Sequence, residues 1–209
     1  MEIYNYDNTI RFGNKHLPYW DFSNMSYTYP VECCGMRFKT SEHLFFALRF
    51  NGSPDIQKEV IEYTRSITFL KRKFRDGKAY KPFHFAHWDE VCVDVMKYII
   101  KLKYDQNKGF QKLLDSTKGM TIIEDTTFQS SSKNNVQIWG AVDKKKKDLL
   151  TQMKKAKSSD VEIAKLVNAP FDVLVGENIL GKILMELIDN ITFDYIFKYP
   201  IFLLDNEIH

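Results

Sequence analysis

Apolar residues recur at helical spacing in four segments of the chain, and residues that start and stop helices stand between them. Thr40 or Ser41 can cap a helix running through Glu42-His43-Leu44-Phe45-Phe46-Ala47-Leu48-Arg49-Phe50, and Asn51-Gly52 stops it. Ile56, Val60, Ile61, Thr64, Ile67 and Leu70 follow Pro54 and predict an amphipathic helix that Gly77 terminates. A third begins near Trp88, carries Asp89 and Glu90 at its start and Lys101 and Lys103 toward its end, and stops at Gly109. The fourth runs from Asn178 to Asp189. Met120-Thr121-Ile122-Ile123-Glu124 reads as a short strand.

With 44% hydrophobic and 14% aromatic residues in 209, the chain can fill one sizeable core, which excludes a disordered protein and makes a single domain the expectation. A formal net charge of +3 announces no polyanion binder, so any nucleic-acid contact must come from a local patch. Cys33, Cys34 and Cys92 form a poor disulfide framework and no zinc spacing, which suits a reducing compartment. The polar start and the absence of a long apolar run predict a cytoplasmic protein that spans no membrane. No His/Asp/Glu or Cys cluster suggests a metal, and no cofactor is expected.

Between Gly140 and Val175 the composition changes. Lys144, Lys145, Lys146 and Lys147 are followed by Lys154, Lys155 and Lys157, then by Ser159 and Glu162 at capping-box spacing before a short helix that ends ahead of Pro170. The lysine run reads either as a solvated helix face or as a set of phosphate contacts. The tail from Ile191 is aromatic-rich and is expected to pack back on the domain.

Several polar residues have a structural and a chemical reading. Asp21 and Asn24 lie in a polar segment between aromatics that suits a turn. Glu42 and His43 open a helix, where a carboxylate meets the helix dipole; neighbours in a helix diverge by about 100°, so His43 faces either a substrate or the core. Trp139-Gly140 suits a buried aromatic followed by a turn.

Taken in order, Tyr19-Trp20-Asp21-Phe22-Ser23-Asn24-Met25, Thr40-Ser41-Glu42-His43-Leu44-Phe45, Trp88 with Asp94-Val95-Met96, Ile138-Trp139-Gly140 and Asn178-Ile179-Leu180-Gly181 resemble the NADAR family across about residues 10 to 190. The resemblance implies a predominantly helical α+β fold, here with a basic insertion at 141–175 and an aromatic C-terminal extension at 191–209. It also implies action on N-linked ribosyl groups, either in riboflavin-pathway intermediates or in ADP-ribosylated bases. The small, lysine-rich and aromatic-rich chain is similar to members carried by bacteriophages that reverse DNA ADP-ribosylation, with the modified nucleobase or DNA as partner.

Cleavage of a C1'–N bond puts positive charge on the ribose, which calls for a carboxylate beside the ring. The resemblance assigns that role to Glu42, with Glu124 as the second acid, and implies substrate contacts from Asn24, Asp21, His43, Arg49, Trp88, Trp139, Gly140 and Asn178. Two departures stand out. Arg49 occupies a position where many members have a lysine, and a guanidinium forms no imine with opened ribose. Phe83-His84-Phe85-Ala86-His87 precedes Trp88 where the family has an arginine. These departures leave open a module that binds ADP-ribose without cutting it.

Overall fold

The structure, a computed structural model, describes residues 1–5, 7–129, 138–189 and 193–209. In chain order the described elements begin with β1 (Glu2–Tyr4), β2 (Thr9–Phe12), a 3-10 turn at Trp20–Phe22, β3 (Val31–Cys33) and β4 (Met36–Phe38). Helices α1 (Ser41–Leu48), α2 (Pro54–Ile61) and α3 (Ile67–Leu70) follow, then a π-helical turn at Lys71–Arg75. Next come α4 (Trp88–Gln106), α5 (Lys108–Asp115), β5 (Thr121–Glu124), β6 (Ala141–Val142), α6 (Lys144–Lys155) and α7 (Asp160–Asn168). The chain closes with β7 (Leu174–Gly176), α8 (Ile179–Asp189), β8 (Ile201–Leu203) and β9 (Asn206–Ile208), an α+β set in which helix outweighs strand.

Two compact units divide the chain: Met1–Ser23 with Leu114–Ile191, and Asn24–Leu113 with Thr192–His209. In the first, β2 and β5 pair in parallel, Phe12 opposite Glu124, and β1, β7 and β6 form an antiparallel sheet. Ile123, Ala141, Phe171 and Leu174 make a buried cluster there. A Cβ on Gly181 would fall on the carbonyl oxygen of Ile122, so the glycine is what lets α8 lie close to β5. Arg11 on β2 forms a salt bridge of 3.0 Å with Asp125; both side chains are buried, at 8% and 0% exposure. The guanidinium also donates to the Ala169 carbonyl and lies over the Phe171 ring.

The lysine-rich segment 141–175 is tied into this unit at its base, where Ala141 pairs with Gly176 and Val142 with Val175. Asp143 caps α6 by accepting the Lys146 N–H, and Ser159 and Glu162 form the capping box that their spacing predicts for α7.

In the second unit, Thr40 Oγ1 accepts the His43 N–H and so caps α1, as its sequence predicts. The helix expected from Ile56 to Leu70 is broken instead: α2 ends at Ile61, and extended backbone at Ser66 restarts the chain as α3 and the π-helical turn. Gly109 does not stop α4. It lies inside α5, and Asn107 ends α4 by donating to the carbonyls of Lys103 and Pro30. Residues 191 and 192 of the expected C-terminal extension lie outside the described residues. The rest returns onto this unit as the β8–β9 hairpin, its backbone held by the carboxamides of Asn51 and Gln57.

The buried pair in the first unit can be tested directly. Arg11→Met leaves Asp125 buried without its cation and costs about 3–5 kcal/mol. Urea denaturation beside the parent measures that loss, and a difference near zero contradicts the pairing.

Candidate active site

Among residues 41–48, only Glu42 is not buried. Its backbone N–H donates to the Asn24 carbonyl at 2.9 Å, and its carboxylate accepts from Lys71 Nζ at 2.7 Å. The pair sits half-sheltered, with side chains 13% and 22% exposed. Lys71 also directs its ammonium toward Met25 Sδ at 3.7 Å, and it opens the π-helical turn, a local distortion frequent at functional sites. Arg75 from the same turn adds positive field; its guanidinium is held above its ordinary value first by the bond to Asp76, with Glu42 contributing.

Three buried side-chain atoms find no hydrogen-bond partner among the described residues: Asn24 Oδ1, Ser41 Oγ and Arg49 Nε. Each such atom costs about 1–3 kcal/mol. All three belong to the residues that flank α1 or open it, so the unsatisfied polarity gathers around the helix that carries Glu42.

Other residues assigned to this region have different roles. His43 is buried, its Nε2 is 2.6 Å from the Val60 carbonyl, and its ring meets Phe38 edge-on, so it is a core residue and not a substrate contact. Burial pushes its imidazole below its ordinary value and keeps it neutral. Trp88 is likewise buried, at 4% exposure, in an edge-type contact with the Phe45 ring and with Arg49 over its own ring at 5.5 Å. Asn24 is buried too, donating to Met96 Sδ at 3.0 Å. Burial lowers the Arg49 guanidinium from its ordinary value, while Asp89 pulls the other way.

In the first unit, Glu124 ends β5 nearly buried, its N–H donating to Asn178 Oδ1 at 3.0 Å and its carboxylate 3.4 Å from Gln129 Nε2. Asn178 does not present its amide at a pocket rim. Its side chain is fully buried, bonding Ile122 and Glu124 of β5, and its backbone (φ 52°) sits in the left-handed region that Asn tolerates. Asp125 is committed to Arg11 and to the Thr127 N–H. A Cβ at Gly140 would fall on the Glu124 carbonyl oxygen, so Gly140 permits a close backbone approach instead of touching substrate. Trp139 is half-buried, and Asp21 lies in the 3-10 turn with intermediate exposure. Of the four lysines, Lys146 is buried on the Ala169 carbonyl and Lys145 pairs with Asp172, which leaves Lys144 and Lys147 for solvent.

The NADAR domain model matches residues 11–192, which include most of both units. The chain belongs to the NADAR family. Curated relatives named N-glycosidase YbiA are 30% identical in Escherichia coli K12 and 29% identical in Shigella boydii, each over 120 residues that make up 57% of this chain and 71% of the relative. The solution NMR structure of E. coli YbiA matches with a TM-score of 0.58 and 22% identity over 88% of this chain and 84% of that one, which shows the shared fold.

Within this NADAR chain, sequence reasoning did not find Lys71. The available signal was the cation cluster Lys71-Arg72-Lys73-Arg75 after Leu70, but no spacing rule joins it to an acid on another helix. Ser41 was considered only as a cap, yet Thr40 is the residue that caps, and the Ser41 hydroxyl is left unpaired.

The buried imidazole gives a pH dependence. Because the folded value of His43 lies below 6.5, the unfolded chain binds its proton first as pH falls. Its contribution to stability is complete above that value and is lost as pH falls toward the lower folded one. His84, lowered by burial as well, contributes in the same direction. His43→Gln, which can still donate to Val60, should flatten the decline in unfolding free energy between neutral and mildly acidic pH. An unchanged slope contradicts a neutral, buried His43.

Proposed function

We propose that this chain is an N-glycosidase that releases ADP-ribose, or a related ribosyl group, from a nucleobase in DNA, with Glu42 as the carboxylate that meets the cationic ribose. The observation that carries this reading is the sheltered Glu42–Lys71 pair at the start of a buried helix. Family membership and relatives named as N-glycosidases support it.

The C1'–N bond breaks with its electron pair going to the base nitrogen, which must take a proton, and water adds to C1'. A fixed carboxylate lowers the barrier by stabilising positive charge that exists only in the transition state. Lys71 orients that carboxylate. Its ammonium also stands ready for the negative charge of the departing base or of a pyrophosphate, and Arg49 adds a second cation on the same unit. Glu124, held through its backbone by Asn178, is the second acid in this reading. The setting that fits is the cytoplasm of a bacterial host in which a bacteriophage reverses DNA ADP-ribosylation.

Incubation with oligonucleotides carrying ADP-ribosylated guanine or thymine, beside free ADP-ribosyl nucleotides and riboflavin-pathway intermediates, tests the reading by chromatography of released ADP-ribose or base. Glu42→Gln keeps the shape of the side chain and removes its charge. It should lower turnover by about 100-fold or more with an unchanged circular dichroism spectrum. Parental turnover by that folded variant removes Glu42 from the mechanism, and binding without release by the parent makes the protein a reader of ADP-ribose.

Arg49 forms no imine, so direct attack by water is expected to leave no adduct on borohydride reduction during turnover. A reduced ribosyl group mapped to Lys71 by mass spectrometry would move the mechanism to a covalent route through the amine bonded to Glu42.

A further inference from the structure

We infer that the surface formed by Arg65, Phe69, Arg72, Lys78, Lys81 and Phe83 is a docking site for single-stranded DNA, a proposal that rests on DNA carrying the base attacked at Glu42. The stretch from Tyr63 to His87 holds seven basic residues and one acidic residue, a formal +6 in a chain whose total is +3, so the rest of the protein is net acidic. Three of the seven cations are engaged: Lys71 with Glu42, Lys73 with Glu59 and Arg75 with Asp76. Arg65, Arg72, Lys78 and Lys81 are exposed and form no salt bridge among the described residues, although Lys81 adds to the positive field at Asp76.

Two exposed aromatic rings belong to the same stretch of chain. Phe69 is 44% and Phe83 is 49% exposed, values that cost free energy in water and suit rings that receive a partner. The guanidinium carbons of Arg65 and Arg72 lie 5.9 and 5.3 Å from the Phe69 ring centroid. Both guanidinium groups lie over the ring. Because Phe69 and the two arginines are exposed, an unstacked base can stack on a guanidinium plane or displace one from the ring, with phosphates met by the surrounding charge. A duplex hides its base faces within its stack, so the exposed rings select a single strand.

Arg72 directly follows the lysine that holds Glu42 in the π-helical turn, so that turn contributes one residue to the surface and one to the proposed chemistry. The lysine-rich helix α6 is less suited to this role. Two of its first four lysines are committed within their own unit, and no aromatic residue interrupts its sequence.

Fluorescence anisotropy with a labelled, unmodified oligothymidylate of about 12 nucleotides, a length within the usual site sizes, tests the surface without requiring turnover. The parent should bind with steep salt dependence. Arg65→Ser, Arg72→Ser, Lys78→Ser and Lys81→Ser combined should weaken binding by about tenfold or more and reduce the magnitude of the logarithmic salt slope by about 2–3. Phe69→Ser alone should weaken binding by about tenfold with the slope unchanged, because it removes stacking and not charge. Lys144→Ser with Lys147→Ser should leave binding near the parental level.

All these side chains are exposed except that of Lys147, which is half-buried, so the fold should survive, and circular dichroism checks it. Parental affinity in both the four-site and the Phe69 variants overturns the surface, as does tighter binding of duplex DNA or of RNA of matching sequence. A parent that binds the oligonucleotide and releases nothing from any modified base overturns the proposed function and leaves the surface standing. Turnover of free nucleotides with no binding of the oligonucleotide does the reverse.

Discussion

The candidate site depends on the burial of α1. Leu44, Ala47 and Leu48 are fully buried and Ser41, His43, Phe45 and Phe46 nearly so, which leaves the helix covered except at Glu42. Each large apolar side chain removed from water contributes about 1.5–3 kcal/mol. A helix held this way has little freedom to turn or slide, and the side chain of Glu42 therefore leaves the core at a fixed place. Its first turn is satisfied by the Thr40 hydroxyl and the Asn24 carbonyl, so the carboxylate need not cap its own helix and can face Lys71.

The first unit is organised around polar groups instead. Asn178 uses both ends of its amide on β5, and Arg11 neutralises Asp125 immediately beyond the end of that strand. Buried polar atoms are costly unless fully paired, and these are paired by partners with few alternative positions. The result fixes the backbone at Glu124 while its carboxylate keeps a contact with Gln129. Gly140 and Gly181 serve the same strand by allowing backbone to approach where a side chain would collide. Asn178 and Gly140, two of the motif residues, thus help to place β5.

Charge is informative locally and not in total. A net of +3 conceals the basic surface around Phe69, because acidic residues elsewhere cancel it. Clustering also failed to identify which cations are free to act. The most conspicuous run, Lys144 to Lys147, loses Lys146 to the interior and Lys145 to Asp172, whereas the more scattered Arg65, Arg72, Lys78 and Lys81 form no salt bridge among the described residues.

What was legible in the amino-acid order was local. Thr40 capping α1 and Ser159 with Glu162 opening α7 follow from bonds that close within three residues, where chain geometry allows few alternatives. The ordered motifs carried the family. Tertiary structure decided the rest, because it determined which helix face was covered and which distant groups met. It turned His43 and Trp88 inward, broke the helix expected through Leu70, and gave Asn178 to β5. It brought Lys71 to Glu42 and joined Arg11 to a carboxylate 114 residues away. Such partners are selected by the desolvation of whole surfaces as the core closes, a quantity that no local spacing encodes.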